Sequence, residues 1–186
     1  MDRSNFELKK VKFLNGVLHA NYKSVKANGG ESYEENCEMQ STLFPHSDLT
    51  NQLDKLKPLM AQCMGFTTLT TVLKSLKTKK QQDAYETLEE VINKDIKLKV
   101  DNFTCTGIAI SGRDESINVI LTGTYKNPAG TVTSQNTPKM RLSSEVYGFE
   151  EELEKIVEIL EDETYQFLFE QKQAQAVLDF NGNAEA

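Results

Sequence analysis

Tryptophan is absent from this 186-residue chain, histidine occurs twice, cysteine three times and proline four times. Each scarcity closes off a kind of chemistry. The cysteines, Cys37, Cys63 and Cys105, are odd in number and widely spaced. A secreted domain held by disulfides needs an even, denser set, so a reducing compartment is expected. No C-x-x-C occurs, and neither His19 nor His46 has a second His or a Cys at ligand spacing, so no metal site and no cofactor are expected. Glycine-rich phosphate loops and the G-x-S-x-G elbow are missing too. No apolar run approaches the roughly 20 residues that cross a bilayer. The opening MDRSNFELKK lacks the apolar core of a signal peptide. A cytoplasmic protein that is not an enzyme and makes no membrane contact is the expectation.

Charge is abundant and uneven. The net charge is -7. Residues 1–100 hold 15 Lys/Arg against 13 Asp/Glu, and residues 101–186 hold 6 against 15. Any anionic partner is therefore expected to meet the first half.

The apolar pattern changes period along the chain. FELKKVKFL alternates at Phe6, Leu8, Val11 and Phe13, with a break at the lysines, and reads as a half-buried strand. Asn15-Gly16 is a strong hairpin turn, and VLHANYKSV is the return strand. After KANGGE comes a polar third strand, SYEENCEMQSTLF. Leu49, Leu53, Leu56, Met60 and Cys63 then recur at helical spacing. Ser47 or Asp48 is the expected N-cap, Gly65 the stop, and Pro58 a kink or break. Residues 66–94 carry two further apolar stripes and read as a helical insert.

From residue 95 strands resume. The segment 95–111 is one long strand or a bent pair, SINVILTGTYK a second strand, and NPAG a turn. TVTSQNTPKMRL is a third, an edge because Pro138 interrupts it. A long helix follows, with Phe149, Leu153, Ile156 and Leu160 repeating the 4-3-4 spacing of the first. The expected fold is α+β: two βββα-like units, each an antiparallel sheet closed by its helix. The first spans 1–65, the insert 66–94, the second 95–178, and a flexible tail 179–186, the units forming one domain. HANYKSVKANGG and LTGTYKNPAG, each with Tyr-Lys before a turn, suggest an internal duplication.

FPHSDLTNQLDKLKP, GTYKNPAGTVTSQNTPKMRL and YGFEEELEKIVEILEDETYQFLFEQKQAQ together resemble a group of small acidic proteins encoded by tailed phages of gut bacteria. The resemblance covers about two thirds of the chain and skips residues 66–94. It implies a phage protein in the cytoplasm of an infected host and assigns no activity. In topology alone, tandem strand-rich units each closed by a helix resemble the PUR-repeat and Whirly binders of single-stranded nucleic acid.

Three functions compete. The first is single-stranded nucleic-acid binding, with Lys9, Lys10, Lys12, Lys23 and Lys126 beside Tyr22 and Tyr125 on the paired hairpins, and with Lys77, Lys79 and Lys80 in the insert. Such binding combines phosphate-contacting cations with aromatic stacking. The second is an interaction or anti-defence protein that sequesters a host protein or a small nucleotide signal. The third, a hydrolase or nuclease, has no carboxylate cluster at a spacing that would support it. The acidic run Glu150–Glu163 reads as a solvated helix face. Phe149, Leu153, Ile156, Leu160 and Phe167 exceed what one small sheet covers, so a homodimer through this helix is expected.

Overall fold

The computed structural model describes residues 2–28, 31–64, 100–112, 116–142 and 149–174. A 3-10 turn, Arg3–Asn5, leads into β1 (Phe6–Leu14), β2 (Val17–Asn28) and β3 (Glu31–Ser41). Helix α1 (Ser47–Cys63) follows, then β4 (Phe103–Ser111), β5 (Asn118–Lys126), β6 (Val132–Asn136), β7 (Met140–Arg141) and α2 (Glu150–Phe169). The fold is α+β. Its seven strands make one antiparallel sheet in the order β3-β2-β1-β4-β5-β6, with β7 also on β5.

The hairpins form where local chemistry asks for them. Asn15 (φ 53°) and Gly16 (φ 77°) both take positive φ, the type I′ arrangement that joins β1 to β2. Asn127 closes the β5–β6 turn, its Oδ1 accepting from the Thr131 amide at 2.9 Å. The edge strand divides near Pro138 into β6 and β7. Thr137 repairs the gap: its amide donates to the Leu121 carbonyl and its Oγ1 accepts from the Leu121 amide, both at 3.0 Å.

Two separate sheets, each closed by its own helix, are not what forms. β1 pairs with β4 through Lys10↔Ala109, Val11↔Ile108 and Lys12↔Gly107, merging both halves into one sheet. The helices lie side by side on one face, packed on each other, and they are crossed: α1 also packs on β4, and α2 on β1. Leu49, Leu53, Leu56 and Met60 from α1 meet Leu153, Ile156 and Leu160 from α2 in one core with Leu8, Val11, Ile108 and Leu121. Side chains of this size stabilise the fold by about 1.5–3 kcal/mol each when fully buried.

Local expectations at the helices also change. The N-cap of α1 is His46, whose Nδ1 accepts from the Asp48 amide at 3.3 Å, not Ser47 or Asp48. The helix runs on through Pro58; packing of both neighbouring turns outweighs the one hydrogen bond proline withholds. α2 stops at Phe169. Gln171 (φ 59°) reverses the chain, and Lys172 then clamps Asp48 of α1 (2.9 Å) to Glu163 of α2 (2.7 Å). The helical insert and the tail lie outside the described residues, as does the start of the 95–111 segment, whose residues Val100–Asp101 are helical.

Candidate nucleic-acid interface on the open sheet face

The helices cover one side of the sheet. Among the described residues no helix packs on the other. Which side chains reach that open face is decided by two β-bulges. Leu8 and Val11 are both buried although three residues apart, a spacing that regular alternation forbids. The register resolves this: Leu8 pairs with Tyr22 but Lys10 pairs with Asn21, so Lys9 is an extra residue. Lys9 and Lys10 are therefore both kept out of the core. β4 does the same thing: Cys105 and Ile108 are buried, and Thr106 is the extra residue between Cys105↔Gly123 and Gly107↔Thr122.

One row across the open face is made of polar side chains and a glycine. Following the pairing from strand to strand gives one row: Gln40, His19, Lys12, Gly107, Thr122, Asn136. It crosses all six principal strands, and at about 4.8 Å per step it is about 24 Å long. A neighbouring row runs Glu38, Asn21, Lys10, Ala109, Ile120. Around the first bulge a shallow hollow of about 310 Å³ is lined by Lys9, Asn21, Tyr22, Asn36, Cys37 and Glu38.

The cations on this face are not equivalent. Lys9 is ion-paired with Glu7, and Lys23 with Glu34 at 2.8 Å. Lys10, Lys12 and Lys126 make no ion pair among the described residues. Glu151, Glu152, Glu154 and Glu158 of α2 are exposed on the other side of the molecule. An anion approaching the open face thus meets the unpaired ammonium groups of Lys10, Lys12 and Lys126, on a surface that also carries the ion-paired Glu7 and Glu34 and, unpaired among the described residues, Glu38.

Several expected site residues are elsewhere. Tyr22 and Lys23 are consecutive in β2 and point to opposite faces. Tyr22 is only 7% exposed and sits in an aromatic cluster, 5.0 Å from Phe6 and 5.6 Å from Phe169. Tyr125 packs on Phe103 at 4.8 Å on the same helix-covered side. Both rings face the helix-covered side and pack against other rings, so neither is presented beside Lys10 and Lys12 on the open face. Lys77, Lys79 and Lys80 lie outside the described residues. The proposed dimer residues Phe149, Leu153, Ile156, Leu160 and Phe167 are each at most 9% exposed within a single chain. The crossed arrangement gives α2 both a sheet strand and α1 to cover, which uses up that apolar surface. The residues that sequence reasoning passed over are Gln40, Thr122, Asn136, Gly107 and Ala109. Their signal was alternation in strands of mixed polarity, legible only once the register is known.

Chemistry beyond binding finds little here. Among the described residues no three His, Cys, Asp or Glu side chains group as metal ligands. Burial pushes the Cys105 thiol up to about 12 and the Cys63 thiol up to about 11, so both are poor nucleophiles near neutrality. No helix among the described residues is long and apolar enough to cross a membrane. Comparisons with protein-family models, curated proteins and solved structures give no match for this chain.

Proposed function

We propose that this is a non-enzymatic binding protein that lays single-stranded nucleic acid across its open sheet face. The observation that carries the reading is the polar row from Gln40 to Asn136, crossing six strands with Lys12 near its centre, Lys10 in the next row and Lys126 at the end of β5 on the same face. Contact is with phosphate and sugar rather than with stacked bases, because the hairpin tyrosines face the core. Binding of that kind is weakly sequence-selective and strongly salt-dependent. The overall charge of -7 does not oppose it, since the acids of α2 lie on the far side.

The same reading treats the chain as two βββα-like units fused into one pseudo-dimer. A shift of 97 residues carries Lys9 onto Thr106, Leu8 onto Cys105 and Val11 onto Ile108, and Val11 and Ile108 are themselves paired. That is the arrangement a twofold axis through the middle of the sheet requires.

Fluorescence anisotropy with a labelled oligothymidine is the test. Binding at low salt is expected, with affinity falling steeply as salt rises. Lys10→Ala with Lys12→Ala should weaken it about tenfold or more and flatten the salt dependence by roughly two charges. Far-UV circular dichroism checks that the variant is folded. Binding that ignores both salt and these two lysines sinks the proposal.

A further inference from the structure

The two edges of the sheet are built differently. Edge strands expose unpaired amides and carbonyls, and proteins blunt them by shortness, proline, bulges or charge. The β6 side uses the first two: β6 has 5 residues, β7 has 2, and Pro138 lies between them. β3 uses neither. It runs 11 residues, Glu31–Ser41, paired with β2 from Leu18↔Ser41 to Asn28↔Glu31 without a register break. Its outer edge has no partner strand among the described residues, and at about 3.3 Å per residue it offers about 35 Å of ladder.

What β3 does carry is acid. Glu34 and Glu38 project to the open face, Glu31 and Glu35 to the other, and the strand has no base. Lys23 and Lys26 of β2 pair with Glu34 and Glu35, while Glu31 and Glu38 make no ion pair among the described residues. A second copy added antiparallel about Asn36 would set Glu34 against Glu38 in both directions, which like charges penalise. A strand bearing Lys or Arg on alternate residues would instead match acid on whichever face its bases point to.

We infer that β3 is a docking edge for an extended basic segment of a protein partner, which joins the sheet as an added strand. Main-chain hydrogen bonds along the edge supply the affinity and the glutamates, the unpaired Glu31 and Glu38 first, the selectivity, the logic of strand addition generally. The edge adjoins the lysine row, which begins at Gln40 of the same strand, but it recognises main chain and positive charge where the row meets phosphate.

The probe is a fluorescent decapeptide alternating Lys and Thr, titrated into the full chain, with an alternating Glu and Thr peptide as control. The Lys peptide should bind and shift amide resonances of β3. N-methylation of every second residue, made in both phases, should weaken binding roughly tenfold in at least one phase. Glu34→Lys with Glu38→Lys should weaken the peptide but strengthen oligothymidine binding, which separates this edge from the open face. No binding tighter than about 1 mM overturns the proposal. So does binding indifferent to N-methylation in both phases, or resonance shifts confined to the open face or to α2.

Discussion

Where β1 carries Lys10, the corresponding position of β4 carries Gly107, and where β1 carries Lys12, β4 carries Ala109. The two halves share a backbone plan, three meandering strands with a bulge three residues into the first. They differ in what the bulge presents. In the first half it sets Lys9 and Lys10 out of the core. In the second it sets out Thr106, and the neighbouring Gly107 and Gly123 are packed too tightly to carry a side chain. A Cβ on Gly123 would lie 2.0 Å from the Thr104 carbonyl oxygen, and one on Gly107 would lie 2.5 Å from the Val11 carbonyl oxygen. At the position matching Gly123, β2 carries Tyr22, a core ring. The lesson is that register and bulge recur in both halves of the sheet, while the lysines of the open face beside the bulge belong to the first.

The sharpest way to break that comparison is to load the tight bulge. Gly123→Val should destabilise the chain by about 3 kcal/mol or more in urea unfolding, since backbone would have to move. The helices should behave more symmetrically. Met60→Ala and Leu160→Ala, at matching positions of α1 and α2 and both fully buried, should each cost about 2–5 kcal/mol. A large inequality between them would argue against equivalent roles. Thr137→Val keeps the shape and removes the hydroxyl that accepts from the Leu121 amide; a loss of about 1–2 kcal/mol is expected by thermal or urea unfolding.

Ala109→Lys probes the comparison from the binding side. It restores to β4 the cation β1 carries as Lys12, at the one of the two matching positions with room for a side chain. Oligothymidine affinity should rise, and the salt slope should steepen by roughly one charge. The smallest effect concerns the Asp48–Lys172–Glu163 clamp. Lys172 holds the Asp48 carboxyl below its usual range, so that contribution is present at neutral pH and fades as pH falls through the lowered value. Glu163, then Asp48, holds the Lys172 ammonium above its usual range, so its share is lost only as pH rises through the raised value. Amide exchange at residues 170–174 should therefore be slowest on the plateau between and quicken at either extreme, with little change in global stability.

The hairpin turns, the polar edge strand broken at Pro138 and the 4-3-4 stripes of both helices were legible because they depend on neighbours a few residues away. So was the break at Lys9-Lys10, which proved to be the bulge. The strand period also places adjacent Tyr22 and Lys23 on opposite faces. His46 as cap and α1 passing through Pro58 were hidden, because surrounding contacts and not propensity decide them.

By itself the sequence determined most of the described strands, the two described long helices and the sides of each that are apolar, since these follow from local periodicity and turn chemistry. Only the tertiary structure decided that β1 and β4 join the halves into one sheet, that each helix covers the opposite half, and that the dimer residues vanish into a single core. Those outcomes rest on contacts between residues nearly a hundred positions apart, where burial of both helices on one shared face is worth more than any preference written locally.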